Sequence, residues 1–248
     1  MTNINKIVII GGGLAGCEAA YQISKFDINV DLYEMRPKVK TEAHQTKYLA
    51  ELVCSNSFRS DDKEYNAVGV LHEELRIADS LIMKCADHNK VPAGSALAVD
   101  RDNFSKDVNK TIKSIPNINI INQEVRSLDE FKNQLVIVST GPLTSKTLTE
   151  SIKIKTSENS LAFYDAIAPI VYEETINMSV AWKQSRYDKG NGDDYINCPL
   201  SKEEYYQFIE KIKKAPKMEF KEFEDTPFFE GCMPIEEIIR RGDETLRY

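Results

Sequence analysis

Paired cysteines, clustered histidines, a basic excess and long apolar runs are all missing from this 248-residue chain. Its five cysteines, Cys17, Cys54, Cys85, Cys198 and Cys232, include no CxxC pair, and there are only three histidines. That excludes a zinc site and a disulfide framework, so no metal is expected and the cysteines read as free thiols. The formal net charge of −7 excludes a protein that coats nucleic acid without selectivity, since phosphate contact draws on clustered Lys and Arg. DNA is not an expected partner, whereas a local basic patch for another nucleic acid stays open. No apolar run approaches the twenty or so residues of a membrane span, and the short run Ile7 to Ile10 meets Gly11, Gly12 and Gly13 at once, unlike a signal peptide. The expectation is a cytoplasmic protein without membrane contact.

What is present is a sequence of α/β units. Lys6 to Ile10 is a continuous β-branched run, the pattern of a strand buried on both faces of a parallel sheet. Leu14, Cys17, Ala20, Tyr21 and Ile23 recur at near-helical spacing, and Val30 to Tyr33 is a second apolar run, which completes a βαβ unit. A loop is expected from Pro37 to Tyr48. Val70, Leu71, Leu75, Ala78, Leu81, Ile82 and Cys85 then form one helical stripe. Ala96 to Val99 followed by Phe104, Val108, Thr111 and Ile112 predicts a further βα step, and Ile118 to Ile121 and Leu135 to Val138 add two strands. The last strand ends in a turn at Ser139 to Pro142.

Beyond about Tyr172, tyrosine, lysine and glutamate become frequent and the buried-strand pattern fades. Residues 1–172 are therefore expected to form one domain and 173–248 a smaller α+β one. Ser201 and Glu204 form a capping box for a helix whose Tyr205, Phe208, Ile209 and Ile212 share a face, with Pro216 ending it. Pro234, Ile235, Ile238, Ile239 and Gly242 describe a last short helix.

The run Gly11, Gly12, Gly13, Leu14, Ala15, Gly16 contains G-x-G-x-x-G between a strand and a helix. Glycines there permit a tight turn, close approach to a pyrophosphate and close packing of helix on strand, with the diphosphate resting on helix N-terminal amides. Glu34 ends the second strand eighteen residues beyond Gly16, where its carboxylate would accept from an adenosine ribose. The same carboxylate disfavours a 2′-phosphate, so FAD or NAD fits better than NADP.

Several uncommon strings carry a more specific resemblance. They are Gly11 to Gly16, Tyr33-Glu-Met-Arg-Pro37, Glu51-Leu-Val-Cys-Ser-Asn-Ser57, Val91-Pro-Ala-Gly94, Ala98-Val-Asp-Arg101, Thr140-Gly-Pro-Leu-Thr144, Asn197-Cys-Pro199 and Phe229-Glu-Gly-Cys-Met-Pro-Ile-Glu236. In this order the chain resembles the folate- and FAD-dependent tRNA (uracil-5-)-methyltransferases over nearly its whole length. The resemblance implies a Rossmann-like FAD-binding domain of glutathione-reductase type with a smaller inserted domain that faces RNA. It also implies methylation of uridine C5 in RNA, in the tRNA T-loop or in rRNA, with methylenetetrahydrofolate as carbon donor and NAD(P)H as reductant.

Uracil C5 is a poor nucleophile until a thiolate adds to C6, so the implied reaction needs a cysteine. Cys54 and Cys232 match the family's functional positions. Cys232 lies just before the helix that starts near Pro234, where amide dipoles favour a thiolate, and the attack on C6 is assigned to it. Cys54 is assigned a second thiol role near the flavin. Cys17 and Cys85 sit on apolar helix faces and read as buried. Asp100 and Arg101 either hold a ligand or cap the helix of Phe104, and His44 either faces substrate or is a solvated loop residue. Lys183, Arg186, Lys189, Lys211, Lys213, Lys214, Lys217 and Lys221 form either a phosphate-binding face or a solvated surface.

Family members continue past the motif seen here from Arg241 to Arg247 and return to the FAD domain, so that domain is expected to be incomplete in this chain. The alternatives are a shortened protein, one part of an enzyme completed by a second chain, and a non-catalytic FAD- or RNA-binding paralogue.

Overall fold

A computed structural model describes residues 4–41, 43–157, 171–185, 192–216 and 234–247. It divides into two compact units, Met1–Leu161 and Ala162–Tyr248.

The first unit is built on β1 (Lys6–Ile10), α1 (Leu14–Ser24) and β2 (Asn29–Glu34). β1 and β2 pair in parallel, with Ile9 opposite Leu32. The chain then leaves the sheet for a long excursion: β3 (Ser57–Ser60), α2 (Ala67–Ile77), α3 (Leu81–His88), β4 (Lys90–Val91), β5 (Ala96–Val99) and α4 (Arg101–Ser114). It returns as β6 (Ile118–Asn122), parallel to β2, and β7 (Val136–Val138), parallel to β1, followed by α5 (Lys146–Thr156). The sheet order is β6-β2-β1-β7.

β1 is buried on both sides, as its unbroken apolar run predicts. Ile9 packs on one face with Cys17, Ala20, Leu32 and Phe104. Val8 and Ile10 pack on the other with Val125, Phe131 and Leu148. β1 is therefore the hinge between two cores, and the turn leaving its C-terminal end is fixed from both faces.

Two expectations change. The stripe from Val70 to Cys85 is two helices, because Asp79 takes a left-handed φ of 61° and Ser80 caps a new helix by accepting from the Met83 amide at 3.2 Å. Glu18 on α1 completes the break, its Oε2 accepting from Ser80 Oγ at 2.8 Å and from the Ile82 amide at 3.0 Å. Periodicity survives such a break because both helices pack on one surface, so spacing alone cannot reveal it. The strand Ala96–Val99 also does not join the main sheet. It is the centre of a small antiparallel sheet of order β3-β5-β4, while α4 still buries Phe104, Val108 and Ile112 against the main core.

In the second unit, β8 (Trp182–Lys183) pairs antiparallel with β9 (Ile196–Asn197). α6 (Lys202–Lys214) begins at the predicted capping box of Ser201 and Glu204 and ends just before Pro216. Ile209 is its buried residue, while Phe208 stays exposed. α7 (Ile235–Arg241) follows Pro234 and stops at Gly242. Tyr205 donates to the Asp243 carbonyl at 2.5 Å and Tyr206 donates to Glu244, tying α6 to the turn after α7. Among the described residues no helix is long and apolar enough to cross a membrane, and no cluster of His, Cys, Asp and Glu could hold a metal ion.

Candidate functional site

The site opens at the C-terminal ends of β1, β2, β6 and β7, where loops of a parallel sheet diverge. A cavity of about 290 Å³ there is lined by the Gly11–Ala15 turn, the end of β2, residues Gln123 to Val125, the turn Ser139 to Ser145, and His44, Glu51 and Val53.

Each glycine of the turn has a distinct reason. Gly11 has φ +104°, and a Cβ there would stand 2.7 Å from the Ser139 carbonyl oxygen. Its amide donates to the Tyr33 carbonyl at 2.8 Å, holding β1 to β2 as the chain turns. Gly16 lies where α1 meets the end of β1, and a Cβ there would sit 1.8 Å from the Gly11 carbonyl oxygen. Gly13 is different: it precedes α1 as its cap, caps no amide with a side chain, and a Cβ on it would meet nothing within 4 Å. Gly13, Leu14 and Ala15, the cap and first residues of α1, line the cavity. Such a cradle of backbone donors at a helix N-terminus suits a diphosphate.

Glu34 is buried, and four N–H groups converge on its carboxylate. Gly12 donates to Oε2 at 3.0 Å, the Arg36 amide and Nε donate to Oε1 at 2.9 and 2.8 Å, and Arg36 Nη2 donates to Oε2 at 3.2 Å. Arg36 is also buried, and its Nη1 donates to Glu51 Oε2 at 2.7 Å. The other oxygen of Glu51 accepts from the amides of Gln45 and Thr46 at 2.8 and 3.0 Å, which anchors the loop bearing His44. Burial opposes ionisation of Glu34, but the Arg36 guanidinium and the two amides prevail and hold its carboxyl below the ordinary range. Arg36 is likewise disfavoured by burial as a cation, and Glu34 and Glu51 more than restore it. His44 is half-buried, with Nδ1 2.9 Å from Thr41 Oγ1; burial and the charge of Arg36 lower its pKa.

The structure thus brings together Gly11, Gly12, Gly13, Leu14, Ala15 and Glu34 on one cavity wall, with Gly16 packed behind the turn. His44 belongs to the same wall. Cys54 does not line the cavity, although its neighbour Val53 does; it is exposed, and Arg101 Nη2 donates to its carbonyl at 3.3 Å. Cys232 lies outside the described residues, as do Arg186, Lys189, Lys217 and Lys221 of the basic set. Cys17 and Cys85 are buried as expected. Burial raises both thiols, Cys85 to about 11, and Cys17 Sγ donates to the Gly12 carbonyl at 3.3 Å. Asp100 caps α4, its Oδ1 accepting from the Asn103 amide at 3.0 Å.

Arg36 and Glu51 are the site residues that the sequence reading passed over. Arg36 left one trace, its i, i+2 spacing from Glu34 at a strand end, which puts both on one side of the chain. Glu51 left none, since its role depends on a loop folding back.

These features define the class: a Rossmann-like dinucleotide-binding fold, with a glycine turn and an acid at the end of the second strand. The family described as Glucose inhibited division protein A matches residues 6–248, and the chain belongs to that family. It is 57% identical over 246 residues to the methylenetetrahydrofolate–tRNA-(uracil-5-)-methyltransferase TrmFO of Bartonella henselae, covering 98% of this chain and 52% of that protein. It is 53% identical over 251 residues to the protein of the same name from Brucella anthropi, covering 100% and 53%. The chain spans about half the length of the curated relatives it matches. Among solved structures, a mutant of MHPCO aligns at TM-score 0.28 and 11% identity over 48% of this chain and 32% of that one, too slight a likeness to bear on fold or chemistry.

Proposed function

We propose that this chain supplies the FAD-binding portion of an enzyme that methylates C5 of uridine in RNA, with methylenetetrahydrofolate as carbon donor and NAD(P)H as reductant. The observation that carries the cofactor assignment is the open cradle at Gly13, which a Cβ would fill, beside the acid at the end of β2. The names of the relatives support the reaction and the tRNA substrate; the T-loop is the proposed target, with rRNA as the other candidate. When bound, the flavin would supply the redox and one-carbon chemistry.

The chain's own residues would do the rest. The turn Gly11 to Gly16 would cradle the diphosphate with the amides of Gly13, Leu14 and Ala15, since those of Gly11 and Gly12 already donate to Tyr33 and Glu34 and Gly16 packs behind the turn, and Glu34 would face the adenosine ribose. Cys232 would add to uridine C6, opening the C5–C6 double bond into an enolate; C5 would bond to the transferred one-carbon unit, and loss of the C5 proton would expel the thiolate and re-form the C5–C6 double bond. Cys54, whose exposed loop follows Val53 of the cavity wall, would be the second thiol. Residues 173–248 would face the RNA, and the enzyme would work in the cytoplasm.

A visible absorption spectrum of the purified chain, with and without added FAD, tests this reading. A flavin band shifted from that of free FAD is expected; a folded chain that leaves added FAD unchanged would overturn the cofactor assignment. A second reading, in which the chain works together with a completing second chain, rests on β7. Leu135, Ile137 and Val138 expose apolar surface there, and among the described residues no strand covers the outer edge.

A further inference from the structure

A carboxylate offers about four lone-pair sites, and in Glu34 all four are taken by N–H groups of the protein itself. A ribose hydroxyl therefore finds no vacant acceptor, although Glu34 lines the cavity. The longest of the four contacts is Arg36 Nη2 to Oε2, at 3.2 Å. A hydroxyl is donor and acceptor at once. It can enter that contact, donate to Oε2 and accept from Nη2, and leave no polar group of the pair unpaired. Arg36 also lines the cavity and spends only three of its five side-chain N–H donors on Glu34 and Glu51. Glu51, braced by the amides of Gln45 and Thr46, holds the guanidinium in that orientation.

We propose that Arg36 reads a hydroxyl of the adenosine ribose jointly with Glu34, and that Glu51 is the positioning residue that sets Arg36. This rests on the reading of the cavity as the site of the ADP half of a dinucleotide. It makes the second strand's acid one half of a two-sided reader, with the arginine presenting the donor that the acid lacks.

Calorimetric titration of the chain with ADP, 2′-deoxy-ADP and 3′-deoxy-ADP tests the assignment without any need for catalytic activity. In the parent chain one deoxy analogue should bind about tenfold more weakly than ADP, as expected for a hydroxyl between two charged partners. In Arg36→Met that ratio should fall to about twofold although Glu34 is untouched, and in Glu51→Gln it should fall part of the way. Thermal melting without nucleotide reports which variants are folded, and if Arg36→Met is not, the partial fall expected in Glu51→Gln decides the matter. A ratio unchanged in a folded variant, or no deoxy penalty in the parent, would overturn the joint reading and leave Glu34 or neither as the ribose contact. Failure of ADP to bind the parent chain at all would instead strike the nucleotide reading of the cavity, and this inference with it.

Discussion

Gly16 and Gly11 pack so closely that any side chain on Gly16 would enter the Gly11 carbonyl: a Cβ there would lie 1.8 Å from that oxygen. Gly13, in the same turn, meets nothing. The two glycines should therefore fail differently. Gly16→Ala should cost about 3 kcal/mol or more, because backbone and not a flexible side chain must yield. Gly13→Val should cost no more than about 1 kcal/mol, since φ −76° and ψ −166° suit any residue, yet it should abolish flavin binding by filling the cradle. Melting curves and flavin absorbance of the two variants separate these outcomes; retained flavin in Gly13→Val would refute the diphosphate site.

Removing the charge of Glu34 should be felt as a buried-pair loss. Glu34→Gln leaves Arg36 with Glu51 as its one carboxylate partner and turns two of the donor contacts unfavourable, a cost on the order of 3 kcal/mol. Urea denaturation measures it. A variant as stable as the parent would mean that the ion cluster contributes nothing net.

Stability should fall with acid in two stages. His44 has its pKa lowered from the usual 6.5, so the unfolded chain binds that proton first and stability declines as pH drops below 6.5. Glu34 and Asp61 have theirs lowered from 4.5 and 3.8, Asp61 because Arg76, His72 and Lys90 outweigh the effect of burial. Their contribution is present above those values and is lost as pH falls through the lower folded ones. His44→Asn should remove the first stage and keep the second when the thermal midpoint is followed from neutral pH downward. Persistence of both stages would show that another group titrates in the upper window.

The cysteines should separate chemistry from binding. Under the proposed function, Cys232→Ala should abolish methyl transfer to uridine with flavin absorbance unchanged, and Cys54→Ala should lower transfer without abolishing it. Both are measured with labelled methylenetetrahydrofolate and a tRNA transcript. Parallel loss of flavin and transfer in Cys232→Ala would end its assignment as nucleophile.

Local order along the chain was legible wherever one segment carries its own physical reason. The β-branched run of β1, the glycines after it and the acid ending β2 specify a strand, a tight turn and a strand end without reference to anything distant. The capping box at Ser201 and Glu204 and the stop before Pro216 are equally local. What failed was of another kind. Val70 to Cys85 keeps one apolar stripe across two helices because both pack on the same surface, and only Asp79, Ser80 and the reach of Glu18 from α1 reveal the break.

The sequence by itself therefore determined the parallel core, the glycine turn and the placing of Glu34 beside it, since these follow from spacing, β-branching and the absence of a Cβ. Tertiary structure alone decided that β5 joins a separate antiparallel sheet, that Cys54 stays off the cavity wall while its neighbour lines it, and that Arg36 is buried between two carboxylates. A charged side chain can be buried only where distant partners converge, and Glu51 reaches Arg36 through a loop whose path no local pattern encodes.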